Sequence, residues 1–339
     1  MSCILNIDRF VIPNDIVVML CKIYQHIGKN ANYRTTVGND LPKVVEGTIE
    51  RDAFFLAKML KIELSETRMR LIITKDSAPR TREESILYNI KEILTMFQNK
   101  TANVQFQSND IHNMINFVYK KMNIKFDYTD SGKRAVLQSQ SNKSKRLILD
   151  ECTQVLERTI HFNKYEKICL YLHYFIDLYN LKPFTDKNDS AAFLILYLLL
   201  FKSELECFKY NSFYEMLTAN FKEFNEELNK ASVNWHEGYA HTFEFVRLIC
   251  KMILKSYEDA EKMLKNYQYD KRLKKGENIE NTILNMRDIF SKEDIRAFHP
   301  YVSESTINRA LISLRDRGYI EPLGKGRSAK WIRKYKGYN

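Results

Sequence analysis

The chain has 339 residues, and at roughly 100–200 residues per domain that suggests about two domains. It is 45% hydrophobic, with only 10 Gly and 6 Pro. That excludes a disordered chain and argues against a β-sandwich, a collagen-like repeat or a loop-rich scaffold. The net charge of +11 is concentrated late: residues 271–339 hold 16 Lys/Arg against 8 Asp/Glu, and residues 322–339 hold six basic residues and no acid. A basic end segment suits a polyanion, of which nucleic acid is the usual one.

In chain order, residues 13–27 read as a helix opened by Pro13 and Asp15. Residues 50–64, 82–99 and 108–122 follow with helical apolar spacing, and RLIIT (70–74) fits a short strand or a helix end equally well. Residues 127–144 are polar, with Gly132, and predict a loop or a short hairpin near 130–140. Further helices are expected at about 145–160, 163–179, 188–203, 211–228 and 238–266. The run Ala191–Phe201 is 11 residues and apolar on every side. A membrane span needs about 20, so it predicts a helix through the middle of a bundle. The six cysteines are scattered with no C-x-x-C pair, which argues against a disulfide framework or zinc finger. The opening MSCILNIDRF lacks a secretory pattern. A cytoplasmic protein without membrane contact is the expectation. His236, Glu237 and His241 do not form a zinc-protease helix, because the histidines are five apart rather than four.

The stretch YDKRLKKGEN (269–278) reads as a charged linker. Beyond it, residues 279–289 predict a helix, and Ser291 with Asp294 three residues on predicts a capping-box start to a second. Ser303 is the next N-cap, with Val302 and Ile307 placed as a hydrophobic staple. Ile307, Ala310, Leu311 and Leu314 form one apolar face, leaving Ser305, Asn308, Arg309 and Arg315 opposite. Gly318 ends that helix, and YIEPL and AKWIRKY predict two strands around the tip GKGRS. This is the order of a winged helix-turn-helix. Its last helix fits a major groove, with Ser305, Thr306, Asn308 and Arg309 near base edges. Lys325, Arg327 and Lys330 on the wing would meet phosphates or the minor groove. Double-stranded DNA is the expected partner, read by a homodimer on a two-fold site.

Between two apolar helices lies Leu181-Lys182-Pro183-Phe184-Thr185-Asp186-Lys187-Asn188-Asp189-Ser190. It resembles the active-site loop of Fic-domain proteins, whose pattern is H-P-F-x-D-G-N-G-R-x-x-R. His112 and His173 in upstream helices, the all-apolar helix that follows, Trp235 and the polar loop near 130–144 resemble the same family over about residues 85–265. The resemblance implies a mainly α protein: a helical extension over 1–84, a Fic-like bundle over 85–268, a linker over 269–278 and a winged helix-turn-helix over 279–339.

In active members the histidine takes a proton from the target's hydroxyl, and Lys182 stands there. A lysine is charged at pH 7 and a poor base. The acidic residue that holds Mg²⁺ is kept as Asp186, but the two glycines are Lys187 and Asp189, and the two arginines are Ser190 and Phe193. Each lost arginine removes a charge-assisted contact of roughly 1.5–3 kcal/mol. For Phe184, Asp186 and Asn188 the residues themselves suggest structural work, as a core anchor and helix caps. Glu46-Gly47 has part of the family's inhibitory motif, but Pro42 replaces its Ser/Thr and Phe193 offers it no partner. The leading expectation is a regulatory DNA-binding protein with an eroded loop and no assigned cofactor, its protein target or effector unspecified. The alternatives are a divergent nucleotidyltransferase using ATP and Mg²⁺, with Lys182, Phe184, Asp186 and Asn188 as loop positions, and a protein-interaction module.

Overall fold

The computed structural model describes residues 2–75, 77–120, 122–128, 144–272, 275–286, 288–299, 302–324 and 329–334. Helices make up most of the described residues. Its contacts divide it into two compact units, residues 1–28 with 48–256 and residues 29–47 with 257–339. In chain order the helices are α1 (Asn14–Ile27), α2 (Asn30–Val37), α3 (Leu41–Met59), α4 (Glu66–Lys75), α5 (Arg82–Lys100) and α6 (Ser108–Val118). Then come α7 (Lys145–His161), α8 (Lys167–Leu181), α9 (Asn188–Lys202), α10 (Phe213–Ala219), α11 (Phe221–Ser232) and α12 (Phe243–Arg272). RLIIT lies inside α4. The helix expected over 211–228 is two, broken at Asn220, which leaves the helical region and folds its side-chain amide back onto the Met216 carbonyl at 2.8 Å. The hairpin expected near 130–140 lies outside the described residues.

In the larger unit, α9 is buried from Ser190 to Phe201, as its continuous apolar run predicts, with α8, α5 and α6 packed on it. The buried aspartate and histidine of α8 are both paired. Asp177 of α8 accepts from Ser2 Oγ (2.6 Å), the Cys3 and Ile4 amides (2.6 and 2.9 Å) and Trp235 Nε1 (2.7 Å). It fastens a segment early in the chain and one late in the unit to the same helix. His173, one turn earlier, lies against the Cys169 carbonyl (2.6 Å) and Thr242 Oγ1 (2.9 Å), and burial lowers its pKa, so it is a neutral core imidazole.

The second unit takes in α2, the start of α3 and the end of α12, and beyond α12 its described elements are α13 (Lys275–Asn285), β1 (Ile289–Phe290), α14 (Lys292–Phe298), α15 (Glu304–Asp316), β2 (Ile320–Pro322) and β3 (Trp331–Arg333). Two corrections arise here. The expected linker at 269–278 is helical at 269–272 and from 275 onward. Its lysines and glutamate are good helix formers, and a charged run is as compatible with a solvated helix as with a linker. Ile289, expected at the end of a helix, begins a strand that pairs with β3, Ile289 opposite Ile332 and Phe290 opposite Trp331. A two-residue strand has no readable period. The three strands run antiparallel in the order β1-β3-β2. Ser291 and Asp294 form the expected capping box and Ser303 caps α15 from its side chain. Ile307, Leu311 and Leu314 close on Ile279, Ile283 and Phe290.

Asp52 of α3 supplies a test of the core. Its buried carboxyl accepts from Ser212 Oγ (2.7 Å), the Tyr214 amide (2.9 Å) and Tyr197 Oη (2.7 Å). Burial outweighs these bonds and pushes its pKa up to about 7. The folded value lies above the unfolded one near 3.9. The stabilisation from the bound proton is therefore complete below about pH 4 and lost as pH rises through 7. Denaturant unfolding of the wild type should lose about 1.4 kcal/mol per pH unit between pH 4 and 7 relative to Asp52→Asn. Parallel pH profiles for the two proteins would contradict a buried proton at this site.

Candidate functional site

The loop from Lys182 to Lys187 joins α8 to α9, and its backbone is set by its two ends. Lys182 and Lys187 both adopt the left-handed conformation, at φ 47° and 57°. A non-glycine residue there costs roughly 1–2 kcal/mol, so the surroundings must hold the turn. Asn188 does so directly. Its Oδ1 accepts from the Phe184 amide at 2.9 Å and its Nδ2 donates to the Phe184 carbonyl at 2.7 Å. Phe184 is buried.

A second set of bonds ties the loop to residues 125–127. The Thr185 amide donates to the Lys125 carbonyl (2.9 Å) and the Asp127 amide to the Pro183 carbonyl (2.8 Å), an antiparallel bridge centred on Phe126 and Phe184. The two rings lie 5.3 Å apart, and the His112 ring stacks on Phe126 at 4.7 Å. His112 is fixed in turn: its Nε2 lies 2.8 Å from the Ile124 carbonyl, which Asn116 Nδ2 also reaches at 3.0 Å.

The loop's chemical groups are arranged as follows. Lys182 is exposed and makes no side-chain hydrogen bond or ion pair among the described residues. Asp186 is half exposed; one oxygen accepts from the Lys187 amide at 2.7 Å and the other lies 3.7 Å from the Lys187 ammonium. Ser190 is buried and its hydroxyl meets the Tyr119 hydroxyl at 2.8 Å. Burial raises the Tyr119 pKa, so that phenol is neutral. Phe193 is buried beside Phe224, with ring centroids 6.1 Å apart.

With this geometry the chain can be set beside known structures. A solved Fic family protein from Desulfovibrio desulfuricans G20 matches with a TM-score of 0.58 and 13% identity, over 97% of this chain and 99% of that one. A Fic domain containing signaling protein from Bacteroides thetaiotaomicron VPI-5482 matches with a TM-score of 0.53 and 12% identity, over 72% of this chain and 97% of that one. The chain has the Fic fold. No protein-family model matches it, and no curated protein matches it in sequence.

The loop's residues can be set beside the family's pattern. Lys187 takes a left-handed backbone at a position where the family's pattern has glycine. At the two arginine positions a buried serine already spends its hydroxyl on Tyr119, and a phenylalanine joins the core. Neither can meet a phosphate. Asp186 already accepts from its neighbour's amide and faces that neighbour's ammonium, an arrangement that competes with a cation. These residues do not fit Mg²⁺–ATP. Tyr119, Asn116 and Phe126 were not singled out from sequence. His112, Asn116 and Tyr119 lie at i, i+4 and i+7, and that shared face is the signal that could have found two of them.

In the second unit, Ser305 and Arg309 are exposed on α15, while Thr306 and Asn308 are half-buried at its edge. The Ser303 hydroxyl lies 2.9 Å from that of Ser305 and 2.8 Å from that of Thr306, and the Arg309 Nε donates to the Ser305 carbonyl at 3.4 Å. Ile312 continues the outward face. Lys330 is exposed beside β3; Lys325 and Arg327 lie outside the described residues.

The loop geometry separates shape from chemistry by substitution. Asn188→Ala removes both bonds to Phe184 and should destabilise the protein by about 2 kcal/mol. Lys187→Gly relieves the left-handed turn and should leave stability within about 1 kcal/mol, since glycine's added chain entropy offsets the relief. Thermal or denaturant unfolding of the two variants checks this. A Lys187→Gly loss as large as that of Asn188→Ala would place the turn's stability in the lysine side chain.

Proposed function

We propose that the protein is a member of the Fic family that has lost ordinary AMP transfer and acts as a regulatory DNA-binding protein in the cytoplasm. The observation that carries the first half is the Ser190–Tyr119 hydrogen bond: where a phosphate-binding arginine belongs, a neutral hydroxyl pair is closed and buried. With Lys182 in the place of the general base, proton abstraction and phosphate neutralisation are lost together.

For the second half, we read α13 to β3 as a winged helix-turn-helix. A helix, a capped helix and a second capped helix lead into an antiparallel hairpin. The outward face of α15 offers Ser305, Arg309 and the edge residue Asn308, groups that hydrogen-bond base edges in a major groove. Other cations of this unit are partly cancelled. Arg317 meets Glu280, Arg333 meets Asp288 and Arg315 meets Asp316. Arg309 and Lys330 have no ion-pair partner among the described residues, which favours them for DNA. A homodimer on a two-fold site would double a small footprint.

Anisotropy titration of the full chain against random duplexes at low salt tests the reading. Lys330→Ala should weaken binding to all sequences alike and reduce the salt slope by about one. Arg309→Ala should relax sequence preference at a cost of roughly 1–3 kcal/mol. A dissociation constant weaker than about 10⁻⁴ M, the limit of non-specific binding, leaves the interaction-module reading in place. Adenylylation of any protein by ATP and Mg²⁺ that disappears in Lys182→Ala would establish the transferase reading instead.

A further inference from the structure

A pocket of about 590 Å³ opens between α5, the turn at 101–105, α6 and α9, all within the larger unit. It lies on the side of α6 away from the loop. Ile111, Asn113, Met114 and Phe117 line it, whereas His112, Asn116 and Tyr119 hold the loop's surroundings. Its floor is apolar, with Ile93, Phe97, Ile195 and Leu198 joining Ile111 and Met114. An apolar cavity of this size with a few polar groups at its mouth is the usual form of a small-molecule site.

The polar groups are distributed unevenly. Lys100, Asn103 and Gln105 sit at one end. Next to them the Lys202 ammonium, its pKa lowered by burial, donates to the Thr101 carbonyl at 3.2 Å. Lys100 has no acidic partner among the described residues, and the acid nearest in sequence along that rim, Asp110, already accepts from the Gln107 amide at 3.1 Å in the first turn of α6. Glu92 stands eight residues back along α5, roughly 12 Å away at 1.5 Å per residue. The end at Lys100 therefore sets Lys100 and the nearby Lys202 against the one carboxylate of Asp110, which is already engaged by the Gln107 amide; the body is hydrocarbon, and Glu92 lies at the far end.

We propose that this pocket binds a small amphipathic carboxylate, its aliphatic chain of about eight to ten carbons laid along α5 for roughly that 12 Å and its headgroup at Lys100. The site is separate from the loop and from α15. Because its floor is formed by α6 and α9, a bound chain packs on the two helices that also hold Ser190 and the 124–126 segment.

The test is calorimetric titration of the full chain with octanoate, octan-1-ol and octylamine. The expected result is saturable one-to-one binding of octanoate, with octylamine at least tenfold weaker. Lys100→Ala, at an exposed position, should weaken octanoate about tenfold, the size of one charge-assisted hydrogen bond, and leave octan-1-ol unchanged. Met114→Trp fills the cavity and should abolish both. If that variant does not fold, Asn113→Trp at the exposed rim should weaken both. Absence of saturable binding, octylamine binding as tightly as octanoate, or an octanoate affinity indifferent to Lys100→Ala would each overturn the proposal.

Discussion

A helix that is apolar on every face constrains everything placed around it. Residues Ser190 to Phe201 present no side to water, so neighbouring helices must cover α9 all round. That demand explains why α8 carries so many buried residues, and why its few polar ones are each given fixed partners. Asp177 is the clearest case. A buried carboxylate without donors would be costly, yet here four groups from two separate stretches of chain converge on it. The cost of burial becomes a tie that fixes where those stretches lie. The loop between α8 and α9 inherits its position from the same constraint, because both its ends belong to helices that cannot move independently.

The loop separates two properties that usually travel together. Its path is set by the Asn188–Phe184 bonds, the bridge to 125–127 and the stacked rings of His112, Phe126 and Phe184. None of these needs a histidine, a glycine or an arginine. Lys182 and Lys187 can occupy left-handed positions because that network exceeds the roughly 1–2 kcal/mol each turn costs. The path of the loop thus does not depend on residues that would handle a phosphate. The Ser190–Tyr119 pair and Phe193 belong to the core beside the loop.

The helical architecture was legible in the sequence wherever a long apolar period existed, as for α5, α7 and α9, and wherever a cap residue marked a start, as at Ser291 and Ser303. Legibility failed where the signal is shorter than its own period. The two residues of β1 become a strand only because Trp331 and Ile332 lie opposite them. The break at Asn220 depends on one residue's backbone, and the helical stretch at 269–272 on a composition that fits linker and helix alike. At the loop, the motif residues were visible but their partners were not. Tyr119 lies 71 residues from Ser190, and Phe126 58 residues from Phe184, separations at which sequence carries no pairing information without the fold.

Helix α6 joins the two chemically distinct surroundings of the larger unit. Its 3.6-residue period places His112 and Asn116 on one face and Ile111 and Met114 on the other. One face is polar and bonded to the segment before and around the loop; the other is apolar and lines a cavity. Both faces of this one element are therefore engaged, in an interior packed closely enough to leave little slack. α9 has the same double role, with Ser190 near its start and Ile195 and Leu198 on the cavity floor. The loop's geometry is thus set by two helices that also line the pocket.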